Sequence, residues 1–142
     1  MSIRIRLAAA PDEVERCFPV MHELRPHVDR EQFLGQVQRQ ADTHGYQLAF
    51  LEETGDIRAV AGFRTIEMLA WRRALYVDDL VTAAAHQGRG FGGRLFDWLV
   101  AHARREGCVQ LHLDSGVQRH GAHRFYLVKG MDITSHHFAM KL

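Results

Sequence analysis

The sequence has few cysteines, almost no net charge and no long hydrophobic run. Its 142 residues include two cysteines, Cys17 and Cys108, which cannot form a disulfide framework, so we expect a reducing, cytoplasmic location. Lys and Arg number 18 against 17 Asp and Glu, and a net charge of +1 gives no basic field for nucleic-acid binding. No apolar run approaches the roughly 18 residues of a membrane span, so no membrane partner is expected. The alternating N-terminus predicts a strand rather than a signal peptide.

Length and composition are those of one globular domain. Hydrophobic residues make up 46% of the chain and charged residues 25%, which excludes intrinsic disorder. A chain of 142 residues is long enough to bury its own core without staples. We therefore expect a single domain over residues 1–142, either a small enzyme or a binding module.

Hydrophobic periodicity predicts alternating strands and helices. Short connections between the three middle strands indicate antiparallel neighbours, because parallel pairs need a long crossover. The fold class is therefore α/β, with a mixed, mostly antiparallel sheet flanked by helices. The predicted elements are strand 3–7, a helix from Pro11 to Leu24, a helix from Asp29 to Gly45, strands 46–52, 57–69 and 74–82, helix 91–105, strand 108–113, helix 119–129 and a last strand 134–142.

A glycine cluster between a strand and a helix is the densest signal in the sequence. Small residues let a ligand approach the backbone, and the unpaired N–H groups at a helix start favour an anion. The cluster therefore predicts a phosphate cradle rather than an ordinary turn. It reads Gln87-Gly88-Arg89-Gly90-Phe91-Gly92-Gly93.

Two other phosphate-binding motifs were compared with this cluster. A Walker A loop ends in Gly-Lys-Ser/Thr, whereas Gly93 is followed by Arg94. The dinucleotide fingerprint G-x-G-x-x-G does fit, and Asp114 lies about 20 residues beyond it, where a ribose-binding acid is expected. The intervening residues 83–87 and the strand meander before them argue against an NAD enzyme, although the pattern alone does not exclude one.

Two motifs resemble the GCN5-related N-acetyltransferase (GNAT) family. The first, residues 87–92, fits that family's acyl-CoA-binding pattern Arg/Gln-x-x-Gly-x-Gly/Ala. The second is Ala122-x-x-Phe125-Tyr126 followed by Gly130-Met131, which resembles the family's Ala-x-x-Phe-Tyr…Gly-Phe element. The resemblance covers nearly the whole chain and implies the acyl-CoA N-acyltransferase fold.

The resemblance also implies roles for individual residues. Acetyl-CoA is the expected co-substrate. In the family the strand before the loop carries a bulge and the neighbouring strand splays away, so the pantetheine arm would pair with the backbone of Leu80, Val81 and Thr82. Its pyrophosphate would lie on the N–H groups of residues 88–93, with side-chain contacts from Gln87 and Arg89. Tyr126 matches the family's general acid. Arg119 stands where many members have a cofactor-binding Asn, which leaves that contact open.

The general base is open among acidic residues near the cofactor strand. Asp78 and Asp79 are neighbours on a strand, so alternation predicts that they face opposite sides. One of them could accept a proton from the acceptor amine, directly or through water, and Glu67 is a further candidate. Family members with such an acidic pair include enzymes for cationic amines, which makes a cationic acceptor plausible.

These features predict an N-acetyltransferase that uses acetyl-CoA and a primary amine by direct attack in a ternary complex. The alternative is a noncatalytic acyl-CoA sensor or partner-binding domain. The acceptor, a small molecule or a peptide, is not identified by any motif, and a homodimer is expected only from the family. Four late histidines do not have the spacing of a metal site, and none is predicted. They are His120, His123, His136 and His137.

Overall fold

The computed structural model describes residues 2–142. Contacts within the chain divide it into two units, Met1–His112 and Leu113–Leu142, and the boundary falls inside the last strand. The single domain over 1–142 stays a prediction. The helices and strands are β1 (Ile3–Leu7), α1 (Pro11–Arg16), α2 (Phe18–Leu24), α3 (Arg30–His44), β2 (Gln47–Glu53), β3 (Asp56–Met68), β4 (Arg72–Thr82), a 3-10 helix (Ala84–His86), α4 (Phe91–Arg105), β5 (Gln110–Leu113) and α5 (His120–Val128).

The five strands form one sheet in chain order, β1-β2-β3-β4-β5. Strands β1 to β4 are antiparallel neighbours, and the β2–β3 connection is a two-residue turn at Thr54 and Gly55, both with positive φ. Between β4 and β5 the chain passes through the 15-residue helix α4, the type of crossover that parallel strands need. The predicted mixed, mostly antiparallel sheet flanked by helices is confirmed.

Alternate residues of the central strands face opposite sides of the sheet, and helices cover both faces. On one face, Phe18 and Phe33 from the N-terminal helices pack with Phe50 and Val60 of the sheet. On the other face, α4 contacts β2, β3 and β4, and its Trp98 lies edge-on to Phe63. The sheet is therefore the central layer of unit Met1–His112.

The ends of the middle elements follow the sequence signals closely. Helix α4 has the predicted bounds, and Gly45 follows α3 in the left-handed region with φ 71°. The predicted first helix is wrong in one respect, because it divides at Cys17 into α1 and α2.

The predicted last strand, Thr134–Leu142, is also wrong. No strand is assigned there, and its alternating side chains Phe138, Met140 and Leu142 are exposed. Period-two alternation is a local pattern, whereas a strand also needs a neighbouring backbone to pair with, and residues 2–142 supply none for this segment.

Within the part of the chain that the structure describes, no helix combines the length and the apolar character required to cross a membrane.

Candidate active site

The glycine cluster forms an open loop between the 3-10 helix and α4. Gly88 and Gly90 have φ of 82° and 84°, a conformation that glycine adopts without the strain a side chain would bring. A Cβ built at either position would meet no heavy atom within 4 Å, so the backbone here borders open space. The loop leads into the N-terminus of a 15-residue helix, and its N–H groups and open surface fit an anion such as a pyrophosphate.

Gly92 brings α4 close to the end of β4. A Cβ at this residue would lie 2.9 Å from Thr82 Oγ1, closer than side chains normally approach. Gly92 therefore has a packing role, whereas Gly93, one residue further into the helix, is half-buried. Phe91 is buried, so its backbone is the part of it that can face a ligand.

The outer edge of β4 is uncovered by β5 at Leu80–Thr82. Val109, just before β5, donates its N–H to the Arg73 carbonyl oxygen at 2.8 Å, which fixes β5 beside the start of β4. β5 has four residues and spans about 13 Å, whereas Leu80 lies about 23 Å beyond Arg73 along β4. The backbone of Leu80–Thr82 is paired with β3 on one side, and the four residues of β5 are too few to extend along its other edge.

The side chain of Arg89 is bound to a carboxylate. Its Nη1 and Nη2 donate to the Glu53 carboxylate at 3.3 and 2.8 Å, and its guanidinium lies 4.7 Å from the centre of the Phe91 ring. The neighbouring Gln87 is exposed. The two side chains predicted to contact phosphate therefore differ in availability. Arg89 is already bound to the buried Glu53 carboxylate, whereas Gln87 is exposed.

A β-bulge places Asp78 and Asp79 at the same cavity. Gly62 is opposite Asp79 and Phe63 is opposite Val77, so Asp78 is an extra residue without a cross-strand partner. The prediction that the two aspartates face opposite sides is wrong, because strict alternation does not hold across a bulge. Both residues line one cavity of unit Met1–His112.

This cavity lies between the end of α2, helix α3 and the bulge, and has a volume of about 230 Å³. Its walls combine apolar side chains with a polar group of arginine, histidine, glutamine and aspartate. Glu67 is exposed near the end of β3 and is not among the lining residues. The cavity is lined by Met21, Arg25, His27, Val28, Phe33, Gln36, Val37, Gln40, Tyr46, Asp78 and Asp79.

Each oxygen of the Asp79 carboxylate has its own donor. Arg25 Nε donates to Oδ1 at 2.8 Å, and the Tyr46 hydroxyl donates to Oδ2 at 2.7 Å. Burial raises the pKa of Tyr46 well above 10.0, and the neighbouring Asp79 charge raises it further, so Tyr46 stays protonated as a donor. Arg25 also donates Nη2 to the Asp78 carbonyl oxygen at 3.0 Å and thereby ties the bulge to the end of α2.

The Asp78 carboxylate has one side-chain donor, Arg64, shared between its two oxygens, and also accepts a hydrogen bond from its own backbone N–H. Arg64 Nε lies 3.0 Å from Oδ1 and 3.1 Å from Oδ2. Burial raises the pKa of Asp78 above 3.8, and the hydrogen bond from Arg64 offsets part of this shift. Asp78 therefore combines a raised pKa with a single side-chain partner.

The second unit, Leu113–Leu142, contains Tyr126 on α5. Burial raises the pKa of Tyr126 above 10.0, while the positive charge of Arg119 and a hydrogen bond from it act in the opposite direction. Asp114, the acid of the dinucleotide pattern, lies 3.4 Å from His137 Nδ1. The antiparallel order of β1–β4 is not that of a doubly wound sheet, so the fold does not support the NAD alternative.

The late histidines have other contacts. His123 Nε2 lies 2.7 Å from the Gly116 carbonyl oxygen, and the ring of His120 lies beside that of His123. Over residues 2–142, no group of three or more His, Cys, Asp or Glu side chains is arranged to hold a metal ion.

Sequence analysis missed Arg25 and Tyr46 at the cavity, Arg64 as the partner of Asp78, and Glu53 at the loop. Nothing in the local sequence pairs the first three with the aspartates, since the contacts join residues from 14 to 54 positions apart. Glu53 did carry a signal. It ends an apolar strand, and a buried carboxylate requires a cationic partner.

Comparison with known proteins identifies the family. The model of the acetyltransferase (GNAT) family matches residues 7–131. The chain belongs to this family. Among curated proteins, the uncharacterized N-acetyltransferase YhdJ of Bacillus subtilis (strain 168) is 34% identical over 137 residues, which cover 96% of each chain. The predicted family membership and the assignment as an acetyltransferase are confirmed.

Solved structures of other proteins have the same fold. A transcriptional regulator from Bacillus halodurans C-125 superposes with a TM-score of 0.86 at 18% identity, covering 99% of this chain and all of that one. The aminoglycoside N-acetyltransferase AAC(6')-Iy, solved in complex with CoA, also has a TM-score of 0.86, at 12% identity, with 99% and 95% coverage. At these identities the likeness extends to the fold alone.

We predict that Gly62→Ala breaks the Tyr46–Asp79 contact. The added Cβ would overlap the Tyr46 hydroxyl and lie 2.7 Å from Asp79 Oδ2. Overpacking of this kind should lower the free energy of unfolding by about 1–3 kcal/mol in urea titrations. Gly35→Ala is the matched control, since its Cβ would meet only Arg39 Nη1 at 3.6 Å, and it should raise stability by about 0.5–1 kcal/mol. Equal stability of Gly62→Ala and wild type would contradict the close packing.

Proposed function

We propose that this GNAT protein transfers an acetyl group from acetyl-CoA to a primary amine by direct attack in a ternary complex. One observation carries the proposal. A single strand, β4, presents two carboxylates to a cavity at its bulge, then an edge uncovered by β5, and then leads into the glycine loop. Acceptor, thioester and phosphates would therefore be aligned along consecutive residues 78–93.

The cofactor would be held mainly by backbone groups. The uncovered edge of Leu80, Val81 and Thr82 suits strand-like pairing with the pantetheine arm. The N–H groups of residues 88–93 would receive the pyrophosphate, and the exposed Gln87 could add a side-chain contact. Bound acetyl-CoA supplies an activated acetyl group as a thioester.

The cavity at the bulge would hold the acceptor. Its apolar side chains, including Met21, Phe33 and Val37, would contact a carbon skeleton, and its carboxylates would face the amine. Each aspartate already has an arginine partner, so the cavity carries no excess of negative charge that would select a polycation. A small molecule or a peptide with one primary amine fits this balance.

Asp78 is the better candidate for the general base. Asp79 accepts hydrogen bonds from two side chains, one on each oxygen, whereas Asp78 accepts from one side chain, Arg64, and from its own backbone N–H. The raised pKa of Asp78 makes its carboxylate a stronger base than an exposed one. Asp78 would accept the proton that the attacking amine loses, directly or through a water molecule, and Asp79 would position it.

Tyr126 is the proposed general acid, on the strength of its place in the family motif. The departing thiolate must gain a proton, and a tyrosine with a raised pKa holds one at neutral pH. Arg119 would stabilise the phenolate while the proton is replaced. This role replaces the cofactor contact that an Asn makes in many members.

Direct attack by the amine, without a covalent enzyme intermediate, agrees with the raised pKa of the buried Cys17 thiol. A covalent route needs an activated nucleophile, and burial raises the pKa of the Cys17 thiol to about 12. The protein would then contribute to catalysis by positioning the two substrates and by transferring protons through the residues named above. The noncatalytic acyl-CoA sensor is the alternative, while the homodimer and the cytoplasmic location stay predictions.

We predict that purified wild-type protein releases CoA thiol from acetyl-CoA when one member of a panel of primary amines is added. With that amine, Tyr126→Phe should lower kcat by about 10²–10⁴-fold, because the thiolate loses its proton donor. Affinity for acetyl-CoA, measured by calorimetry, should stay within about threefold. Phe125→Leu is the control on the same helix. Unchanged turnover in Tyr126→Phe would refute the acid, and acyl-CoA binding without turnover on any amine would favour the sensor.

We also predict that Asp78 determines the acidic limb of the pH profile. A base acts only when ionised, so kcat/KM should fall as the pH falls through the raised pKa of Asp78. Asp78→Asn keeps an oxygen for Arg64 but removes the base, and should lower kcat/KM by about 10²-fold or more and abolish that limb. Asp79→Asn is the comparison. A retained limb in Asp78→Asn would assign the base elsewhere.

A further inference from the structure

Glu53 is a buried carboxylate at the end of β2. The residue is 4% exposed, and it accepts hydrogen bonds from Arg58 Nε at 3.1 Å and from both terminal nitrogens of Arg89. The hydrogen bond from Arg89 is the main cause that lowers the pKa of Glu53. A buried, ionised carboxylate makes its cationic partners hard to remove, because separation would leave a charge without compensation.

Arg89 is the central residue of the glycine loop. It lies between Gly88 and Gly90, which have φ of 82° and 84°. Glycine loses more conformational freedom on folding than any other residue, so ordering this part of the loop has a high entropic cost. The guanidinium is bound to Glu53 and also packs on the buried ring of Phe91. One side chain therefore fixes the part of the loop that has the least intrinsic order.

Arg58 connects the same carboxylate to the segment before the loop. Its Nη1 lies 2.9 Å from His86 Nε2, and its carbonyl oxygen accepts the N–H of Ala83 at 2.8 Å. The second nitrogen of His86 lies 3.2 Å from Arg89 Nη1. Residues 83, 86 and 89 are thus all tied to the β2–β3 hairpin around Glu53.

We infer that Glu53 is a positioning residue for cofactor binding: through Arg89 it holds the glycine loop in the conformation that receives the pyrophosphate of CoA. This inference rests on the proposed function, which assigns CoA to the loop. Glu53 would not touch the cofactor. It would lower the cost of ordering the loop when the ligand binds.

An opposite role for the same contact makes the inference testable. If Arg89 instead leaves Glu53 to pair with a phosphate, Glu53 competes with the cofactor for Arg89, and its neutralisation should strengthen CoA binding. If Glu53 holds the loop, neutralisation should weaken binding. The sign of the change in affinity therefore separates the two roles.

The experiment measures the Kd of CoA by calorimetry for wild type and Glu53→Gln at one fixed ionic strength. The matched control is Glu52→Gln, since Glu52 is the neighbouring buried carboxylate and pairs with Arg6 and Arg16 rather than with the loop. We expect Kd to rise about tenfold in Glu53→Gln and to stay within about twofold in Glu52→Gln. With an active acceptor, KM for acetyl-CoA should rise in Glu53→Gln while kcat at saturation changes little.

A second variant keeps the test informative if Glu53→Gln does not fold. Arg89→Lys retains the positive charge but loses the two-pronged contact with Glu53. A held loop predicts weaker CoA binding in Arg89→Lys, whereas a direct phosphate contact predicts nearly unchanged binding. Unchanged or tighter binding in either variant, with wild type binding CoA, would overturn the inference alone. No CoA binding by wild type would contradict the proposed function, and the inference with it.

Discussion

The contact of Arg25 with the β4 bulge is the interaction on which the candidate site depends. Asp78 is an extra residue in β4, and Arg25 binds both its carbonyl oxygen and the carboxylate of Asp79. Without the bulge, strict alternation would turn the two aspartates to opposite faces. With it, both line one cavity, and the tie to α2 fixes the cavity wall that carries them.

The same strand links the cavity to the anion-binding loop. Residues 80–82 separate the bulge from the 3-10 helix and the glycine loop, and β5 is too short to cover their outer edge. The loop is in turn fixed by Glu53 and Arg89, from the far end of β2. Two arginine–carboxylate contacts thus position the segment from the bulge to the loop: Arg25 with Asp79 at one end and Arg89 with Glu53 at the other. The backbone between them would contribute mainly N–H and C=O groups to binding.

The sequence predicted most of the fold and part of the site. Elements with strong periodicity and a glycine at the end, such as α4 and α3, were found nearly to the residue, because local patterning determines them. The prediction of a last strand was wrong because the alternation at Phe138 and Met140 carries no information about a neighbouring strand to pair with. A bulge before the loop was expected from the family resemblance alone, whereas its position at Asp78 and the arginine contacts were not predictable, since register and ion pairs depend on residues far apart in the chain.

Calorimetric titration of the wild-type protein with acetyl-CoA, with NAD as the control ligand, tests the central claim most directly. The account predicts that acetyl-CoA binds with one site per chain and that NAD does not bind. Binding of NAD alone would mean that the spacing of Gly88, Gly90, Gly93 and Asp114 is the functional signal. Absence of acetyl-CoA binding by folded protein would contradict the assignment of the loop and the β4 edge to the cofactor.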